Sequence, residues 1–208
     1  MNRNKIYNMK SLYITIIVTL TFVMHIAAQE KVALKDTNTS NVGLKLGYNL
    51  AAVSFDEDSE TGQRHGFFAG FYGESFLISA VAIQVELMYS QQGYQLKDNG
   101  GTFTQKLDYL NLPVSLKIYP ANHFYLEAGP QIGLAISHKE EYDSNFGLFD
   151  TSRELEPEKF DWGFNFGTGF KTESGISLGV RYHLGMGSIY DEGDPKNRVW
   201  QFAVGIDF

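Results

Sequence analysis

Cysteine is absent from all 208 residues. That excludes a disulfide framework, a thiolate-bound zinc and a thiol nucleophile. Positive charge is scarce, with 17 Lys and Arg against 24 Asp and Glu and a formal net charge of −7. Nucleic acid is therefore not the expected partner, because phosphate backbones call for a basic footprint. Proline is sparse, at 5 residues. Beyond residue 28 no stretch approaches the ~20 apolar residues that a membrane-crossing helix needs. What the chain holds in excess is glycine, at 21 residues, and aromatic side chains, at 14%.

The first residues read as an address. Residues 1–10, MNRNKIYNMK, carry Arg3, Lys5 and Lys10 and no acid, and residues 11–28, SLYITIIVTLTFVMHIAA, carry no charge. A basic start, an apolar run and small residues Ala27 and Ala28 match a secretory signal peptide, 1–28, cut after Ala28. Met9 is an alternative start, and a membrane anchor is the competing reading. Without residues 1–28 the chain keeps 14 basic and 24 acidic residues, a net charge of −10.

The rest alternates with a period of two, the signature of strands. In 124–136, FYLEAGPQIGLAI, the even positions are apolar and the odd ones polar, small or Tyr125; in 160–170, FDWGFNFGTGF, Phe and Trp alternate with Asp, Gly and Asn. Eight such segments are expected, at about 42–53, 65–76, 82–94, 104–119, 123–138, 159–171, 176–188 and 198–208. Each is longer than the ~5–6 residues usual for soluble strands and meets the ~9–11 that cross a bilayer at a tilt. Short connectors (77–81, 120–122, 172–175) alternate with long acidic ones (54–64, 95–103, 139–158, 189–197).

The two faces identify the solvent. Across 42–50, 124–136, 160–170, 176–186 and 200–208, the apolar rows hold 29 residues, none charged, while the opposing rows contain Lys45, Glu127, Asp161, Arg181 and Asp207. A water-soluble sandwich or barrel would put charge outside and apolar side chains within. Here the charged, glycine-rich face is the inner one, so the outer solvent is hydrocarbon. Every backbone polar group must then be paired, which closes the sheet. The expected fold is all-β: a closed eight-stranded antiparallel up-and-down transmembrane β-barrel. Phe67, Tyr89, Phe160, Trp162 and Trp200 would form one aromatic girdle, and Phe76, Tyr119, Phe124, Phe170 and Phe208 the other. A bulge or the membrane boundary is expected at Asp108.

The phrases VELMYSQQGY (85–94), LDYLNLPVSLKIYP (107–120), FYLEAGPQIGLAIS (124–137) and FDWGFNFGTGF (160–170) resemble the porin-family outer-membrane β-barrel domain of PorT-like proteins. The resemblance spans 42–208 and implies a small barrel, of the OmpA-like kind, in the cell outer membrane of a Gram-negative bacterium. Residues 29–41, QEKVALKDTNTSN, outside it, are a polar tail expected in the periplasm. The resemblance further implies that the last strand is read by the barrel-assembly machinery, through Trp200, Phe202, Ile206 and Phe208, with Ala203 where the pattern usually has glycine.

The inner face contributes Lys45, Glu74, Glu86, Lys117, Glu127, Asp161, Arg181 and Asp207. One reading is a salt-bridged plug centred on Arg181, whose guanidinium engages two carboxylates at once. The other is a narrow ion path. The cost of leaving a buried charge unpaired favours the plug. Ser137 and His138 form a candidate pair for lipid modification, without an assignable third residue. Asp56, Asp58, Glu60 and Gly62 imitate the start of a calcium loop, with the glycine one place late and Phe67 at the twelfth position. No catalytic residue, cofactor or resident metal is expected.

The leading expectation is a monomer with a structural or interaction role and a plugged lumen. A small-solute or ion channel and a lipid-modifying enzyme are the alternatives. The expected partners are outer-membrane lipid, lipopolysaccharide and a protein met through loop 139–158, which carries Tyr142, Phe146, Leu148 and Phe149 among its acids.

Overall fold

The computed structural model describes residues 40–56, 59–97, 101–144, 151–155, 160–188 and 195–208. The signal-peptide and tail expectations for 1–39 lie outside the described residues, as does the calcium-like stretch at Asp58. Ten strands follow in order: β1 Ser40–Asp56, β2 Ser59–Glu60, β3 Gly62–Ile78, β4 Val81–Lys97, β5 Gly101–Ile118, β6 Phe124–Ser144, β7 Thr151–Leu155, β8 Phe160–Lys171, β9 Ile176–Ser188 and β10 Lys196–Asp207. Eight are long. The short β2 and β7 only extend β1 and β6 at the long-connector end.

Each long strand pairs antiparallel with its sequence neighbour, and the ring closes where β1 meets β10, with Lys45 opposite Gly205 and Asn49 opposite Gln201. Closure leaves no free sheet edge, the condition for a sheet in hydrocarbon. The fold is thus the closed, eight-stranded, up-and-down barrel that the alternation implies. The strands run further than the apolar rows, since β6 has 21 residues and continues well past the belt. Residues 139–144 and 151–155 of the supposed third loop are therefore a paired hairpin, with Glu141 opposite Ser152.

Burial alternates with the pleat and is inverted relative to a soluble protein. Leu46, Phe166 and Leu178 are more than half exposed (56, 52 and 58%), whereas Asn49, Ser90, Ser115, Asn165 and Asn197 are fully enclosed. Glycines let the inner side chains cross. Tyr125 lies over Gly169 and Gly179, and a Cβ at Gly179 would stand 2.6 Å from its hydroxyl.

Two aromatic placements differ from expectation. Phe76 and Tyr119 are buried, packed with Ala82 and Tyr125 across the short-turn mouth of the lumen. They do not join a lipid-facing girdle, because the inward row of β3 runs from Glu74 straight to Phe76. The expected irregularity near Asp108 is present: the β5–β6 register shifts between Asp108 and Tyr109, leaving Ile136 as the extra residue.

Candidate functional site

The lumen holds three tiers of polar side chains. At the short-turn end Glu74 of β3 receives Lys117 Nζ at 2.9 Å, Lys171 Nζ at 2.7 Å and the Tyr119 hydroxyl at 2.9 Å. Lys171 also meets Asp207 at 2.9 Å, and Tyr72 donates to the same carboxylate. Lys117 stands 4.0 Å from the centre of the Tyr125 ring, a cation–π contact, and donates to Gln84 Oε1 at 2.6 Å.

The middle tier is built on Arg181 of β9. Its Nε reaches Glu127 at 2.7 Å and one terminal nitrogen reaches the other Glu127 oxygen at 3.1 Å, while the second terminal nitrogen meets Glu86 at 3.2 Å. This is the fork geometry that makes guanidinium suited to carboxylates. Lys45 adds a bond to Glu86 at 2.9 Å, and Gln84 ties the tiers together by donating to Glu86 at 2.6 Å.

Toward the long-connector end charge gives way to amides. Asn49 donates to Ser90 at 2.9 Å, Gln201 to Asn49 at 3.2 Å, and Asn165 to Gln131 at 3.0 Å. His183 meets Asn165 at 2.8 Å and stands 3.6 Å from Asp161, which accepts from Asn197 at 2.8 Å. Above this tier Val53, Tyr94, Leu107, Tyr109 and Ala135 form an apolar cluster.

The geometry therefore joins seven of the eight sequence-selected charges, Lys45, Glu74, Glu86, Lys117, Glu127, Arg181 and Asp207, and leaves Asp161 apart beside His183. It adds Lys171, which the sequence reading missed. That residue occupies the next inward position after Gly169 on β8, so carrying the row one step further would have found it. With Lys171 the two lower tiers hold four bases and four acids. Gln84 and Tyr72 are uncharged members that sequence gave no reason to single out, and Tyr119, expected in the lipid-facing girdle, is a third.

Ser137 and His138 do not form a pair. The bulge at Ile136 sends Ser137 outward beside Asp108, while His138 is buried and bonds Gln105 at 2.7 Å. Among the described residues no group of three or more His, Asp or Glu is placed to hold a metal ion. Trp200, Phe202, Ile206 and Phe208 all face outward, with Phe208 77% exposed.

Residues 27–191 match a family model described as outer membrane protein beta-barrel domain. No curated protein matches the chain. Among solved structures, Ail, the attachment invasion locus protein of Yersinia pestis, aligns at 15% identity over 81% of this chain and 99% of its own, with a TM-score of 0.51. Neisserial surface protein A aligns at 13% identity over 82% of this chain and 100% of its own, with a TM-score of 0.45. At such identities the likeness concerns the fold. The apolar outer wall, the closed ring and the family match agree, and the chain is an outer-membrane β-barrel protein that belongs to the outer membrane protein beta-barrel domain family.

Proposed function

We propose that this barrel is a non-conducting scaffold: a monomer whose lumen is sealed by salt bridges and whose long-connector end is presented to a partner. Within the family it is read as PorT-like, exported by the 1–28 signal peptide and inserted by the barrel-assembly machinery through its last strand. The single observation that carries the sealed lumen is the charge-balanced network of Lys45, Lys117, Lys171 and Arg181 with Glu74, Glu86, Glu127 and Asp207, every member in a contact of 3.2 Å or less. Moving an ion through it would separate buried partners, each separation costing several kcal/mol. Clusters of aromatic and aliphatic side chains lie in the lumen above and below it. The hairpin of β6 and β7 projects past the belt and is the surface offered to a protein.

Planar-bilayer recording tests the seal. The purified, folded barrel is expected to give no stable conductance. A steady, large open level in the unaltered protein would replace the scaffold with a small-solute or ion channel.

A further inference from the structure

The outer wall carries a second polar site that the sealed lumen does not explain. Its place is set by the belt. On β3, His65 stands two residues above the girdle residue Phe67; on β4, Gln91 stands two above Tyr89; on β5, Asp108 stands two above Leu110. Two residues of strand rise about 7 Å. The site therefore lies at headgroup depth, directly over side chains that face acyl chains.

These residues form one cleft of about 430 Å³, lined by Arg64, His65, Gln91, Gln95, Thr104, Lys106, Asp108, Ser137 and Lys139. No lining residue is apolar. Three things about it point to an anion. First, Lys106 and Lys139 are directly opposite each other in the β5–β6 register. Like charges so placed repel, and an anion between them adds to the compensation that Glu141 already gives Lys106. Second, cations outnumber acids in the lining: Arg64, Lys106 and Lys139 face Asp108 alone, one oxygen of which accepts from the Tyr89 hydroxyl at 2.7 Å while the other has no hydrogen-bond partner among the described residues. Third, Arg64 enters the cleft where the β3–β4 register shifts between Gln63 and Phe68, and its guanidinium donates to the Gln92 carbonyl. Glu141 holds Lys106 from the outer side, which fixes that ammonium at the rim.

We infer that this cleft binds a phosphate group on the sugar headgroup of an outer-leaflet glycolipid. Lys106, Lys139 and Arg64 supply the positive charge, and Ser137, Thr104 and Gln95 supply neutral hydrogen-bonding groups. The acyl chains run down the wall past Phe67, Leu110 and Ile136, which are exposed immediately below. The bulge at Ile136 is part of the device, because it turns Ser137 and Lys139 to the outer face. The inference stands on the barrel and its outer wall, and holds whether or not the lumen conducts.

Native mass spectrometry of the purified barrel, with lipid A as the probe, tests it. Bis-phosphorylated lipid A is expected to bind at least about tenfold more tightly than the same lipid stripped of phosphate, since charge-assisted hydrogen bonds are being lost. The double variant Lys106→Gln, Lys139→Gln is expected to lose that preference while keeping the heat-dependent gel shift of a folded barrel. Equal binding of the two lipids by the unaltered protein would overturn the proposal. So would an undiminished preference in the double variant. Inorganic phosphate carries the same chemistry without a lipid, and displacement of bound lipid A by millimolar phosphate would overturn the assignment to a glycolipid.

Discussion

At the scale of single residues, the lumen shows why a buried charge cannot be judged alone. Arg181 is the only cation contacting Glu127 by a hydrogen bond among the described pairs, and it shares Glu86 with Lys45. Arg181→Met leaves two buried carboxylates with one neighbouring ammonium. A loss of about 3–5 kcal/mol is expected, read as a lower urea midpoint for the barrel in detergent micelles. Adding Glu86→Gln restores charge balance, so the double variant should be more stable than Arg181→Met alone. A double-mutant cycle with strictly additive costs would show that the network does not act as a unit. Sequence revealed most of this set, because charge on an inward row is conspicuous against glycine. Lys171 escaped because the alternation read over 160–170 stops one position short of it. Tyr72 and Gln84 escaped because uncharged polar side chains carry no such signal, and Tyr119 because its ring suits a girdle as well as a lumen.

At the scale of strands, the period of two located every long element and failed where the pleat is interrupted. Ile136 is an extra residue, so every position beyond it changes face. An uninterrupted alternation puts His138 outside and Ser137 inside, and the structure has the reverse. Connector lengths were misread for the same kind of reason. Strands prolonged by cross-strand pairing above the belt, as in β6 with β7, no longer alternate apolar with polar. The tight turns at the other end are more rigidly specified. Gly175, between β8 and β9, has a φ of 85°, and a Cβ there would lie 2.7 Å from the Asp207 Cβ. Its N–H donates to the Thr172 carbonyl at 3.1 Å. Gly175→Val is expected to lower stability by about 1–3 kcal/mol through backbone strain, with the urea midpoint as the readout. An unchanged midpoint would mean that the turn relaxes freely.

At the scale of the whole molecule, the sequence announces its solvent more clearly than its purpose. Within the belt the outer wall is apolar on every strand and the interior is polar and ionic, which stabilises the molecule only when hydrocarbon surrounds it. That inversion was legible because it rests on 29 uncharged positions in five segments, and a single exception does not erase it. Depth in the membrane gives the inversion a graded test. Phe166 sits in mid-strand on β8, opposite Ala128 and Tyr182, whereas Phe160 begins the same strand at the long-connector end. The two are similarly exposed, at 52 and 58%. In water, Phe→Arg at either site would cost little and nearly the same. In a bilayer the midplane arginine costs about 2–4 kcal/mol and one near the interface about 0–1 kcal/mol. Phe166→Arg is therefore expected to lower folding free energy in phospholipid bilayers by about 1–4 kcal/mol more than Phe160→Arg, measured by guanidinium titration of tryptophan fluorescence. Equal costs at the two positions would mean that the belt is not centred where the strands place it.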